Sequence, residues 1–408
     1  MRRLLVPVLP LLMLACLAAG ERSGTAGETR AEVYAQVREM TELGRRLFAD
    51  PLLSGSGKLA CSSCHNAARA YGPPNALAVQ FGGSDLHQPG LRAVPTLRYL
   101  EASPPFTEHY YDSEDEGDPT IDNGPTGGLT WDGRVDRGRD QARIPLLSPF
   151  EMANRDEAAV AAAVVRSAEA QAMGAIFGAA IFGDPAKAFA AVTQALEVYE
   201  QSAPDFYPYT SKYDAYLAGT AILTDAEARG LALFNDPAKG NCAHCHRSAR
   251  GLDGTAPQFT DYGFNALGVP RNRDIPANAD PRYFDLGLCG PLRTDFTDRA
   301  EYCGLFLAPT LRNTALRQVF FHNGVMHSLT DVLDFYATRD TDPGRWYPRA
   351  ADGTVDEYDD LPARYRSNIN REPPFDRHPG SSPALTPAER ADIIAFLKTL
   401  NDGYLGGR

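Results

Sequence analysis

The chain has 408 residues, 43% of them hydrophobic and 23% charged, which fits a folded globular protein with room for two cores and excludes a disordered or fibrous chain. A formal net charge of -12 argues against a nucleic-acid partner and favours a basic or locally complementary protein partner. Residues 1–20 place Arg2-Arg3 ahead of a short apolar run and read as a secretory signal, too short for a comfortable membrane span. Cys16 follows Leu14-Ala15, as in a lipoprotein cleavage box; the alternative is ordinary cleavage after Ala19 or Gly20. No later stretch is apolar enough to cross a bilayer, so an exported protein is expected, in contact with the membrane only through a lipid on Cys16. Residues 21–30, rich in Gly, Ser, Thr and charge, read as a flexible tether.

From Ala31 to Phe48 the apolar positions Val33, Val37, Met40, Leu43 and Leu47 recur at helical spacing, and Pro51 closes the run. Cys61-Ser62-Ser63-Cys64-His65 follows. At this spacing two thiols can add to the two vinyl groups of one haem while the adjacent histidine becomes its proximal iron ligand. The segment 66–130 is rich in Gly, Pro and Asp and reads as long loops; its acidic run 112–118 is a solvated loop whose spacing does not match an EF-hand. Alanine-rich helices are expected over 155–178 and 184–202, and Pro204 and Pro208 mark a boundary between domains over 31–205 and 206–408. Thr224-Asp-Ala-Glu227 has capping-box form and opens a helix that ends at Asp236-Pro237. Cys242-Ala243-His244-Cys245-His246 then repeats the attachment spacing. Late helices are expected over 328–337 and from the capping box at Thr386 to Leu400; β-signal is sparse, so the fold class is mainly α.

One Cys-x-x-Cys-His run also fits half of a zinc site. Two such runs, each behind a similar preamble, point to two covalently bound c-type haems, held by Cys61, Cys64 and His65 and by Cys242, Cys245 and His246. The preambles belong to an internal duplication. Gly44-x-x-Leu-Phe-x-Asp-Pro51 is echoed from Gly230 to Pro237, Val94-Pro-Thr-Leu-Arg98 from Ala308 to Arg312, and Trp131-Asp-Gly-Arg134 by His322-Asn-Gly-Val325. Cys289 and Cys303 remain, and in an oxidising compartment the default for a leftover pair is a disulfide; the alternative is two buried thiols.

These landmarks resemble the bacterial dihaem cytochrome c peroxidase and MauG family. LFADPLLSGSGKLACSSCHN, TWDGRVDRGRDQARIPLLSPFEM, LFNDPAKGNCAHCH and APTLRNTALRQVFFHNGVMHSLTDVLDFY carry the likeness, and the stretch from Arg345-Trp-Tyr-Pro to Tyr365 looks closest to the MauG-like branch that includes MbnH. The resemblance implies two cytochrome c-like haem domains with long loops, a periplasmic location and Trp131 between the haems. It places Glu151 as the acid–base group of the first haem's pocket, with Gln141 and Pro145 beside it; a carboxyl buried there should have a raised pKa. Where the peroxidases carry a methionine as sixth ligand of the second haem, Tyr336 is in register. A phenolate should lower that haem's potential and stabilise high-valent iron, and Met326 is the fallback ligand. The position at which peroxidases set a removable histidine on the first iron is Phe81; His87 is the alternative, and the iron is otherwise open.

His322 is expected to support the second haem by hydrogen bonding, and His244 sits inside a haem loop. Ala93 stands in the family's calcium-binding asparagine position, which weakens the expectation of calcium even though the carbonyls of Arg317 and Val319 remain. Gly240 stands where MauG has a surface tryptophan; Trp346 could replace it as an exit point, though packing is its expected role. The implied function is a dihaem oxidoreductase that uses hydrogen peroxide to form a shared high-valent, bis-Fe(IV) state and modifies a residue, by analogy a tryptophan, of a small exported protein. The alternatives are a cytochrome c peroxidase fed by a small redox partner and a non-catalytic electron-transfer cytochrome.

Overall fold

The computed structural model describes residues 29–114 and 117–406; the signal, Cys16 and residues 21–28 lie outside them. The chain is mainly helical. Its strands are two short antiparallel ribbons, Phe81–Gly82 with Gln88–Pro89 and Phe264–Asn265 with Phe306–Leu307. The first helix, Arg30–Phe48, opens on a capping box in which Thr29 accepts from Glu32 N and Glu32 accepts from Thr29 N at 2.7 Å. Its buried face, Leu43, Gly44, Leu47 and Phe48, meets the helix Pro185–Glu200, and this pair centres a core that runs on to Phe206.

The same construction recurs downstream. The helix Asp225–Asn235 crosses the helix Pro387–Lys398, and Phe234, Ile393 and Phe396 fill the core between them with Tyr213 and Phe259. Each crossing turns on the repeated glycine. A Cβ on Gly44 would lie 1.9 Å from Ala195 O, and one on Gly230 would lie 2.0 Å from Asp392 O. Only a hydrogen lets helix backbones approach this closely, which is the physical content of the Gly-x-x-Leu-Phe repeat.

Two elements differ from the periodicity. The alanine-rich stretch 155–178 is not one helix but two, Glu157–Arg166 and Ala170–Phe177. Ser167 breaks it, its Oγ donating to Val164 O and accepting from Glu169 N, so the side chain competes for backbone groups a helix would use. The second is a helix over Gly138–Leu147 that carries Pro145 in its interior, which a reading by period did not reveal.

Cys289 and Cys303 are joined by a disulfide across a separation of 14 residues, within a small apolar cluster containing Phe264, Leu288 and Tyr302. Among the described residues no single helix is long and apolar enough to cross a membrane.

Candidate haem sites

Both Cys-x-x-Cys-His runs lie in short helical turns, with the histidine just after the turn. His65 Nδ1 is 2.8 Å from Tyr71 O, and His246 Nδ1 is 2.8 Å from Phe259 O. A carbonyl can only accept, so each Nδ1 carries the proton and each Nε2 is left as the free lone pair, the tautomer an axial imidazole needs. Burial favours the neutral ring: it drives His65 down to about 4, against the Tyr71 hydrogen bond and with help from the Arg317 charge, and it also lowers His246.

The two carbonyls are themselves held in place by the second repeat. Tyr71 and Phe259 both adopt left-handed backbone, at φ 54° each, a conformation rare for aromatic residues and seen where a site over-determines it. Thr96 Oγ1 donates to Ala70 O at 2.5 Å, and Thr310 Oγ1 donates to Gln258 O at 2.6 Å, each fixing the residue just before the histidine's acceptor. Arg312 adds a bond from Nε to Pro257 O. The Pro-Thr-Leu-Arg repeat is therefore a brace for the carbonyls that orient His65 and His246.

Cys61, Cys64, Cys242 and Cys245 are free thiols in a chain whose other described cysteines form a disulfide. Burial pushes all four thiols up, Cys64 to about 11 and both Cys242 and Cys245 to about 12, so they stand as S–H. The neighbouring Glu151 charge also raises Cys61 and Cys64, which puts that carboxyl at the first site.

A large cavity of about 2450 Å³, counting the solvent at its mouth, is lined by Cys242, Cys245, His246 and Tyr336 and extends to Trp131 and Gln141. Its walls are mostly apolar side chains beside convergent polar groups, the pattern of a cofactor site. The Tyr336 ring is stacked with Phe321 and packed by Phe375, its hydroxyl has no hydrogen bond among the described residues, and desolvation pushes it well above the usual phenol range. A half-buried phenol facing a cavity with a histidine lone pair and two thiols is an oxygen donor that could hold a metal there. Met326 is buried in the neighbouring core and lies off the cavity wall.

Trp131 ties the two halves together. Its Nε1 donates to Ala93 O at 2.8 Å, and its carbonyl accepts from Leu307 N at 3.0 Å. Beneath it lies a charge network that sequence reading missed: Asp132, fully buried, accepts from Arg92, Arg134 and the Thr130 hydroxyl, and Arg92 reaches on to Asp285 with a fork of 2.6 and 2.7 Å. Only the Trp-Asp-Gly-Arg echo hinted at it.

Glu151 lies in the turn after the Gly138–Leu147 helix, its carbonyl accepting from Gly83 N at 2.8 Å. Its carboxyl is raised by burial, opposed by Ser148 and the Arg134 charge, although by surface area the residue is open on one side. Gln141 reaches the large cavity from the same helix, whereas Pro145, Glu151, Cys61, Cys64 and His65 do not line it.

His322 lines the cavity with its ring stacked on Phe306 at 3.5 Å, driven down to about 4 mainly by burial; no ring hydrogen bond joins it among the described residues. Phe81 is 46% exposed, and His87 is likewise at the surface. His244 sits at the rim, 3.0 Å from Glu372. Trp346 is packed on Phe335 and donates to Thr338 Oγ1 at 2.9 Å. Val319 O, one of the carbonyls expected to face a cation, accepts from Arg317 Nε at 3.2 Å.

Comparison with known proteins agrees with this geometry. The family model described as "Di-haem cytochrome c peroxidase" matches residues 38–221. The chain is 34% identical to the methylamine utilization protein MauG of Paracoccus denitrificans, over 80% of this chain and 81% of that protein. It is similar to the crystal structure of the diheme peroxidase BthA from Burkholderia thailandensis, with a TM-score of 0.76, 39% identity, and 89% of this chain and 86% of that one covered. A MauG-like protein associated with microbial copper homeostasis gives a TM-score of 0.61 at 27% identity, with 89% of each chain covered. The family match covers His65 and Trp131, and by its likeness to MauG over most of its length the chain belongs to the dihaem cytochrome c peroxidase and MauG family, an oxidoreductase family whose members carry two haems.

Proposed function

We propose that this protein is a MauG-like enzyme that takes oxidising equivalents from hydrogen peroxide, shares them between two haem sites and spends them on a residue, by analogy a tryptophan, of a small exported protein. One observation carries the reading: Tyr336 faces the cavity shared with Cys242, Cys245 and His246, and Met326 does not. The haems, when bound through the four thiols, His65 and His246, supply peroxide activation and storage of oxidising power. The chain supplies the rest. Glu151, kept protonatable by burial, moves the proton from the inner to the outer peroxide oxygen so that water leaves, and Gln141 and Pro145 shape that pocket. Trp131, bonded to both halves, stands on the path between the sites. Tyr336 would hold the second haem through an anionic oxygen, which would favour its oxidised state. The expected location is the periplasm.

A second reading, a peroxidase that reduces hydrogen peroxide with electrons from a small cytochrome, is favoured by the 39% identity to a protein described as a diheme peroxidase. Peroxide added to the as-isolated, fully oxidised protein separates the two. The MauG-like reading expects direct reaction and a long-lived near-infrared charge-resonance band. A strict requirement for prior reduction of one haem would make the peroxidase reading correct. Two low-spin haems inert to peroxide would exclude both.

A further inference from the structure

Buried arginines in this chain are matched to carboxylates. Arg92 holds Asp132 and Asp285, Arg271 holds Asp360, Arg312 holds Asp214, and Arg339 holds Asp340. Arg317 is the departure. Its Nε donates to Val319 O at 3.2 Å and its Nη2 to Val94 O at 3.0 Å, and among the described residues it makes no ion pair. Arg69 is its counterpart from the other half: Nη1 donates to Leu316 O at 3.1 Å, again with no ion pair among the described residues. Both line the large cavity, and Arg317 Nη1 lies 3.5 Å from where a Cβ on Gly72 would stand, next to the residue that orients His65.

Carbonyl dipoles satisfy only part of a five-donor fork, so each side chain keeps N–H groups for another acceptor. The two bonds also cross the seam in opposite directions, Arg69 from the first half to Leu316 and Arg317 from the second half to Val94. We propose that Arg317, with Arg69 beside it, is the receptor for a propionate carboxylate of haem held against this seam, so that the bound group completes an ion pair and locks the two halves together. The proposal rests on the reading that these sites hold haem. Arg317 and Arg69 act here as positioning residues.

The test uses the holoprotein with Arg317→Gln and Arg69→Gln, read by haem content, resonance Raman propionate-bending bands and the midpoint potential of each haem. Arg317→Gln should keep two haems, shift a propionate-bending band and lower one midpoint potential, because a nearby positive charge has been removed. Arg69→Gln should move the same band and potential in the same direction by less. If Arg317→Gln does not fold, Arg317→Lys keeps the charge but loses the planar fork, and should shift the band while leaving the potential near that of wild type. Unchanged bands and potentials in a variant that retains both haems overturn the proposal. Wild-type protein without haem would instead overturn the haem reading on which it rests.

Discussion

Gly44→Ala and Gly230→Ala test whether the duplicated helix crossings are the foundation of the two haem sites. In either variant the new methyl would meet a carbonyl oxygen of the facing helix, Ala195 O at 1.9 Å or Asp392 O at 2.0 Å, with a second side chain, Tyr199 or Phe396, within 2.9 Å. Neither obstacle is the far end of a flexible side chain, so the helices must separate by more than 1 Å. Overpacking of this kind costs about 1–3 kcal/mol and occasionally more. Each helix also gains up to about 1 kcal/mol from replacing glycine by alanine, which offsets part of the cost. Near the upper end, a net loss of about 2 kcal/mol lowers the Tm of a half of this size by roughly 4–8 °C.

The assay is thermal unfolding of each holo variant followed by circular dichroism and by the Soret band. Gly44→Ala should disturb the site built on His65, and Gly230→Ala the site built on His246, whose attachment turn packs against the Asp225–Asn235 helix. A Tm within 1 °C of wild type for both variants would refute the close-crossing argument.

Two further outcomes follow from the titratable groups. Glu151→Gln should slow the reaction with peroxide by about 10²–10⁴-fold in stopped flow, with haem content unchanged. Glu200, at the end of the Pro185–Glu200 helix, is pushed up to about 8 by burial and by the Glu197 charge, from an ordinary value of 4.5. Between those values the folded chain holds a proton that the unfolded chain releases, so its contribution to stability is fully present below 4.5 and is lost as pH rises towards 8. Denaturant titrations at pH 5 and pH 8 should therefore show a decline that Glu200→Gln reduces; an undiminished decline assigns it to other groups.

The landmarks most legible in the sequence were those whose chemistry is local. Cys-x-x-Cys-His spacing, the capping boxes at Thr224 and Thr386, and the apolar rows of the long helices each depend on residues a few positions apart. The repeats were visible as repeats, but their purpose needed three dimensions. Gly44 matters because of Ala195, and Thr96 because of the carbonyl before Tyr71. The missed features share that property. The Arg92–Asp132–Asp285 network joins residues distant in the chain, and the carboxylate-free state of Arg317 stands out only beside the paired Arg92, Arg271, Arg312 and Arg339. Ser167 failed in the opposite direction: a local side-chain bond overrode a strong alanine-rich helical pattern.

The central claim is that Tyr336 makes the second haem site a store of oxidising power shared with the first. Its most direct test is the near-infrared spectrum after hydrogen peroxide is added to fully oxidised wild type and to Tyr336→Phe. A long-lived charge-resonance band is expected in wild type and its loss in the variant, with both haems still attached. A Tyr336→Phe protein that forms the same band with the same lifetime would contradict it.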